Sequence, residues 1–163
     1  MSNNQNVADI SIVIPTYNRC DLLKRAINSV LDQTINVREI IIVDNGSTDN
    51  TYEMISSLFP EISNIREKKK GVSIARNLGI KNCHSTWIAF LDSDDIWHNN
   101  KIEKCMKKLS LGYDLVCHAE TWFYEEDQKT RKVIYGPESH ELFDRLLFEG
   151  NCLSTSAVMV NRK

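Results

Sequence analysis

A short apolar run, Asp9-Ile10-Ser11-Ile12-Val13-Ile14, decides the fold and ends at Pro15. Its β-branched side chains favour a strand, and a nearly continuous apolar run of this length is typical of a strand buried on both faces. Apolar residues then recur at helical spacing from Leu22 to Leu31, with Asp21 near the start. This spacing predicts a helix directly after the first strand.

The same alternation continues along the chain. Further strands are predicted at Glu39–Val43, Ile62–Arg66 and Trp87–Leu91, and further helices after Asp49, after Gly71 and over Lys101–Leu109. Strands and helices in this order indicate an α/β fold, with a Rossmann-like, mostly parallel sheet that helices cover on both faces.

The pattern changes after Leu111. The sequence predicts strands at Leu115–Cys117 and Trp122–Tyr124, a solvated turn over Glu125–Lys132, a short helix at Glu141–Phe148 and a last strand at Thr155–Val160. A strand with nothing after it to cover it suggests a fold truncated at the C-terminus. We therefore expect a flexible N-terminus over residues 1–8 and a single, incomplete domain over residues 9–163.

Composition excludes several classes of protein. The net charge is -2, from 20 basic and 22 acidic residues, so no broad basic surface for nucleic acid is expected. The one basic cluster, Lys68–Lys70, is interpreted as a solvated loop. Five widely spaced cysteines without a CxxC pair favour reduced thiols. With no signal peptide and no apolar run near the roughly 20 residues of a membrane span, we expect a cytoplasmic segment, with peripheral contact at the inner face of the membrane left open.

Polar residues follow three of the predicted strands. The first strand leads into Pro15–Arg19, the second into Asp44–Asp49 and the fourth into Asp92–Asp95. Ligands of open α/β sheets bind beyond the carboxyl ends of the strands. These three segments are therefore expected to converge on one pocket.

The acidic segment after the fourth strand predicts a metal site. Asp92, Asp94 and Asp95 repel one another, which is costly unless a cation lies among them. Carboxylates suit hard divalent ions such as magnesium or manganese, which share phosphate oxygens. The alternative is that these acids cap the next helix. Capping would explain one aspartate, but three directly after a buried strand are harder to explain in that way.

Three other residues, Asp44, Tyr17 and Arg76, have two interpretations each. Asp44 holds a ligand or serves only the turn at Gly46, and Tyr17 stacks on a nucleobase or simply packs. Arg76 meets phosphates or holds the aspartates in place, and the sequence does not separate the two. Asp49 is expected mainly to cap the following helix, while Gly79 permits close packing of a helix on the sheet.

Four motifs in succession resemble those of family 2 glycosyltransferases, which have the GT-A fold. They are Val13–Asn18, Ile42–Asp49, Gly71 with Ala75–Gly79, and Phe90–Asp95. The likeness is specific because all four motifs occur in order and at the expected intervals, whereas any one motif alone would be weak evidence for the family.

The resemblance implies a nucleotide-diphosphate sugar donor, such as a UDP-sugar, and an inverting transfer to the hydroxyl of a saccharide or lipid-linked saccharide. The implied roles are base-pocket lining for Pro15, Thr16 and Tyr17, base binding for Asp44, ribose or metal binding for Asp92, metal coordination for Asp94 and a supporting role for Asp95. The general base of the family usually follows a strand like Thr155–Val160, so it is expected beyond Lys163.

Two other functions are considered. The first is a nucleotide-sugar-binding fragment without turnover, because Glu120, Glu125 and Glu126 are only weak substitutes for the missing base. The second is a phosphatase of the haloacid dehalogenase type, which also places Asp-x-Asp after an apolar strand. Enzymes of that class have threonine or valine two residues after the second aspartate, where this chain has Ile96, and their motif lies near the N-terminus.

Overall fold

A computed structural model describes residues 7–124, 128–135 and 153–163. Strands and helices alternate over the first two thirds of the chain. The elements are β1 (Val7–Thr16), α1 (Cys20–Leu31), β2 (Asn36–Asp44), α2 (Thr51–Leu58), β3 (Ser63–Arg66), α3 (Val72–Lys81), β4 (Trp87–Phe90), α4 (Lys101–Leu109), β5 (Leu115–Cys117), β6 (Glu120–Tyr124), β7 (Lys129–Val133) and β8 (Val158–Asn161).

Six strands form one sheet in the order β3-β2-β1-β4-β8-β5. β1 pairs in parallel with β2 and β4, and β2 pairs in parallel with β3. β8 is antiparallel to both of its neighbours. The prediction of an α/β fold with a mostly parallel sheet is thus confirmed, and β8 lies inside the sheet rather than at an uncovered edge.

The core has two layers, one on each face of this sheet. Successive side chains of a strand point to opposite faces, so Ile10, Ile12 and Ile14 of β1 face one layer and Val13 faces the other. The first layer packs against α1, α2 and α4, and the second packs against α3. Helices therefore cover both faces, as the apolar runs predicted.

Several predicted boundaries differ from the structure. β1 begins at Val7 rather than Asp9, and β4 ends at Phe90, one residue early. Thr155–Ala157 form a 3-10 turn, so the last strand starts only at Val158. The turn predicted over Glu125–Lys132 is wrong in its second half, where β7 pairs with β6. An exposed two-stranded hairpin buries no face, so its sequence lacks the alternation that marks a half-buried strand.

Some predictions fall outside the described residues, namely the helix at Glu141–Phe148 and the acids Glu125 and Glu126. None of the four described cysteines forms a disulfide. Across the described ranges, no helix is both long enough and apolar enough to cross a bilayer.

Candidate functional site

The carboxyl ends of β2, β1 and β4 lie side by side and open onto a cavity of about 480 Å³. Six of the residues predicted from the sequence line it: Pro15, Thr16, Tyr17, Arg76, Asp92 and Asp94. Arg19 and Asn45, which lie in the converging segments but were assigned no individual role, line it as well, and so does Lys70 from outside those segments. The predicted convergence of three strand ends is therefore present in the structure.

Asp44 does not line this cavity, and its side chain is fully buried. Its Oδ1 accepts the backbone N–H of Ser47 at 2.8 Å, which serves the turn at Gly46. Its Oδ2 has no hydrogen-bond partner among the described residues, and Arg66 Nε lies 4.0 Å away. One oxygen thus serves the turn, while the other keeps the capacity to bind a ligand.

Thr16 lies opposite Asp44 in the parallel pairing of β1 and β2. Its Oγ1 is likewise buried without a hydrogen-bond partner in the described part of the chain. A buried polar atom left unpaired costs about 1–3 kcal/mol. Two of them at adjacent strand ends are compatible with a polar ligand that pairs with both.

Tyr17 projects beside the cavity with 44% of its surface exposed. Lys70 Nζ lies 5.4 Å from the centre of its ring, within the range of a cation–π interaction. Lys70 is exposed, as the interpretation of Lys68–Lys70 as a solvated loop predicts, and it also lines the cavity. A run of three identical residues gives no signal for which one faces a pocket.

Asn45 explains how Lys70 reaches this position. Its Nδ2 donates to the carbonyl oxygen of Lys69 at 2.7 Å, and its Oδ1 accepts the N–H of Gly71 at 2.7 Å. One side chain therefore bonds the backbone on both sides of Lys70. Gly71, with φ at 139°, adopts a conformation that favours glycine and leads into α3.

A second set of contacts joins the loops after β1 and β2. Asn18 Oδ1 accepts the N–H of Thr48 at 2.7 Å, and the N–H of Asn18 donates to Ser47 Oγ at 2.9 Å. Asp49 accepts from the N–H of Thr51 at 3.1 Å and from that of Cys20 at 3.3 Å. Asp49 thus bonds the first N–H of both α2 and α1, although Asn50 rather than Asp49 occupies the N-cap position of α2.

The two predicted metal ligands are each paired with an arginine. Asp92 Oδ1 lies 2.6 Å from Arg76 Nη2, and Asp94 Oδ2 lies 2.6 Å from Arg19 Nη1. The contact between Arg76 and Asp92 agrees with a role in holding the aspartates, while Arg76 also faces the cavity. Arg19, from the loop after β1, supplies the positively charged partner of Asp94.

Asp95 lies in the same turn and has a different environment. Burial raises the pKa of its carboxyl group, a hydrogen bond from Ser156 opposes that rise, and the negative charges of Glu120, Asp94 and Asp92 add to it. Its proximity to three other acids marks this turn as the acidic side of the site.

The carboxylate oxygens of Asp92 and Asp94 fit a divalent cation that takes most of its ligands from water and phosphate. Asp92 and Asp94 line one cavity, and each has one oxygen paired with an arginine. Within the described ranges, no group of three acidic, histidine or cysteine side chains is arranged to hold a metal by itself. Magnesium-like ions usually bind one or two carboxylates and complete their shell with water and phosphate oxygens.

Glu120, a weak candidate for the general base, is engaged elsewhere. It accepts a short hydrogen bond from the hydroxyl of Ser154, and Trp122 Nε1 lies 3.4 Å from its Oε2. It does not line the cavity that holds the aspartates. We therefore assign it no role as a base.

Comparison with known proteins agrees with this geometry. The sequence profile of Glycosyl transferase family 2 matches residues 11–163. An uncharacterized glycosyltransferase of Rickettsia conorii is 46% identical over 130 residues, which are 78% of this chain and 21% of that protein. The chain thus spans about a fifth of the length of that relative.

Two solved structures share the fold. Residues 1–349 of S. aureus TarS in complex with UDP-GlcNAc match with a TM-score of 0.73 and 20% identity, over 94% of this chain and 45% of that one. A mannosyltransferase of Pyrobaculum calidifontis in complex with GDP-Man and Mn²⁺ matches with a TM-score of 0.61 and 19% identity, over 73% of this chain and 36% of that one. With the profile match covering nearly all of the sequence, the chain belongs to glycosyl transferase family 2 and has the GT-A fold.

Proposed function

We propose that this chain is the donor-binding part of a glycosyltransferase that takes a sugar from a nucleotide-diphosphate sugar, most simply a UDP-sugar. One observation carries the proposal. Asp92 and Asp94 share a single cavity with Thr16 and Tyr17, and both Thr16 and its partner on β2, Asp44, have an unpaired buried oxygen.

The β1–β2 side of the cavity suits a nucleobase. Tyr17 offers an exposed aromatic face for stacking, and Asp44 Oδ2 offers a buried acceptor for a base N–H. Uracil carries such an N–H next to its carbonyl groups. The UDP-GlcNAc complex of TarS, which shares the fold, supports a uridine nucleotide as the first candidate.

The β4 side suits a diphosphate. Asp94, with Asp92, would hold a manganese or magnesium ion, and Arg19 and Arg76 add positive charge on the same wall. Bound there, a divalent cation would neutralise the charge that develops on the departing diphosphate. The complex of the P. calidifontis mannosyltransferase with GDP-Man and Mn²⁺ supports this choice of cofactor.

Transfer to an acceptor also needs a base for the hydroxyl proton. We infer an inverting reaction with a saccharide or lipid-linked saccharide acceptor, as the family resemblance implies. Family membership removes the reason for the phosphatase alternative, whose resemblance rested on the Asp-x-Asp motif alone.

A second candidate function is nucleotide-sugar binding without turnover by this segment alone. The small share of the R. conorii relative that it spans favours this possibility. Saturable binding of UDP-sugar with neither transfer nor hydrolysis would identify it. Hydrolysis of the donor by the segment would exclude it.

A thermal-shift panel of UDP, GDP and ADP, each with manganese, tests the proposed donor. We expect UDP to raise the melting temperature most, because a ligand that binds only the folded state stabilises it by mass action. Equal shifts for all three nucleotides, or none, would contradict a uridine-binding site.

Tyr17→Ala tests the stacking surface. We expect the affinity for UDP to fall about tenfold, since stacking of a base on an aromatic side chain is worth ~1–3 kcal/mol. Tyr52→Ala is the matched control, because Tyr52 is 43% exposed and has Arg66 5.7 Å from its ring centre, yet it does not line the cavity. Equal losses in both variants, measured by calorimetry, would argue against stacking at Tyr17.

A further inference from the structure

A residue far downstream in the sequence contacts the acidic turn. Ser156 belongs to the 3-10 turn before β8, 64 positions after Asp92, and only 3% of its surface is exposed. Both its hydroxyl and its carbonyl group bond to the segment between β4 and α4. That segment carries the two predicted metal ligands, Asp92 and Asp94.

The hydroxyl of Ser156 contacts the start of the turn. It accepts the backbone N–H of Asp92 at 3.0 Å. The same hydroxyl opposes the rise that burial causes in the pKa of the Asp95 carboxyl group. The Oγ atom thereby fixes the backbone where the Asp92–Asp95 turn begins.

The carbonyl oxygen of Ser156 is fixed from the other side. It accepts from Trp97 Nε1 at 3.1 Å and from Lys101 Nζ at 2.9 Å. Lys101 is 6% exposed, and its Nζ lies 3.2 Å from the centre of the Trp97 ring. Two buried donors on one carbonyl group determine where the serine lies, and so where its hydroxyl points.

The backbone at Asp92 depends on this hydroxyl because β4 has already ended. The N–H of Leu91 still bonds to the carbonyl of Val13 at 3.1 Å, as in a strand. At the next residue, the N–H of Asp92 donates to the Ser156 side chain instead. Without the hydroxyl, this partly buried N–H would need another partner, and the turn would be free to shift.

We propose that Ser156 is a positioning residue for cation and diphosphate binding, which holds the Asp92–Asp95 turn so that the carboxylates of Asp92 and Asp94 face one cavity. This inference rests on the proposed function. It implies that the donor site depends on the segment before β8, even though every predicted ligand residue precedes Trp97.

The test compares UDP affinity with manganese and with a chelator, by calorimetry, in Ser156→Ala and the unsubstituted chain. We expect the affinity for UDP with manganese to fall about tenfold or more, since loss of a group that orients metal ligands typically lowers metal affinity about 10–100-fold. The affinity without metal should stay within about twofold, because the β1–β2 side of the cavity is untouched. A residue with only a structural role would lower the two affinities together.

Ser156→Thr and Ser156→Val keep the test informative if alanine impairs folding. The two side chains have nearly the same shape and differ in the hydroxyl, so they disturb packing alike. We expect threonine to retain most of the manganese-dependent affinity and valine to lose it. Ser154→Ala, whose hydroxyl bonds to Glu120 instead of the turn, should behave like the unsubstituted chain.

Three results would overturn the inference. They are equal manganese-dependent affinities for the threonine and valine variants, an equal loss in Ser154→Ala, or a parallel loss with and without metal in Ser156→Ala. A failure of the proposed function is distinguishable, because the unsubstituted chain itself would then show no gain in UDP affinity from manganese.

Discussion

Replacing Asp94 by alanine is expected to abolish the manganese-dependent part of UDP binding, with a loss in affinity of about a hundredfold. Loss of a group that only orients a metal ligand lowers metal affinity about 10–100-fold, so loss of a ligand itself should reach the upper end of that range. The protein should remain folded, because Asp94 is 45% exposed and its ion pair with Arg19 lies at the surface. Such pairs contribute about 0–1 kcal/mol to stability. Calorimetry measures the affinity, and thermal unfolding checks the fold.

Two further variants control this experiment. Asp94→Asn keeps the shape of the side chain and removes its charge, so it should lose the metal dependence as well. Asp32→Ala removes an exposed carboxylate outside the cavity and should change nothing. If Asp94→Ala retained the full response to manganese, the assignment of Asp94 as a metal ligand would be wrong.

Replacing Gly79 by alanine is expected to lower the free energy of unfolding by about 1–2 kcal/mol. A Cβ at this position would lie 2.4 Å from Val13 Cγ1 and 3.2 Å from Val13 Cγ2. Val13 is fully buried and β-branched, so it cannot move aside by a change of rotamer at low cost. Overpacking of this kind costs about 1–3 kcal/mol, whereas the higher helix propensity of alanine returns at most about 1 kcal/mol.

Urea denaturation measures this change, and a double-mutant cycle with Val13→Ala provides the control. Val13→Ala should be destabilising alone, but in the Gly79→Ala background it should cost less, because the added methyl group then fills part of the space that valine leaves. We expect a coupling energy of about 1 kcal/mol or more, typical of residues in direct contact. Additive effects, or a more stable Gly79→Ala protein, would show that α3 does not lie as close to β1 as described.

The sequence predicted the fold well because the core elements are strongly periodic. The apolar runs of β1, β2 and β4 and the helical spacing of α1 and α4 each identify an element without reference to the rest of the chain. The parallel alternation then brings their carboxyl ends to one edge, so most of the cavity wall followed from topology. The close approach at Gly79 was also anticipated.

Residues in loops were harder to predict. Arg19 and Lys70 line the cavity, but a charged residue in a loop has no periodicity and looks the same whether it faces solvent or a ligand. Asn45 acts through backbone groups more than twenty positions away, and Ser156 through a turn 64 positions away. Contacts between residues so far apart in the sequence depend on the completed fold, so no local sequence pattern predicts them. Strand β7 was missed for the opposite reason, since the exposed hairpin that it forms with β6 buries too little to leave a pattern.

The most direct test is a calorimetric titration of UDP into the unsubstituted chain, once with manganese and once with a chelator. If neighbouring strand ends build one site in which acidic side chains share a cation with a diphosphate, the affinity with manganese should exceed the affinity with the chelator at least tenfold. Equal affinities under the two conditions would contradict this account of the site.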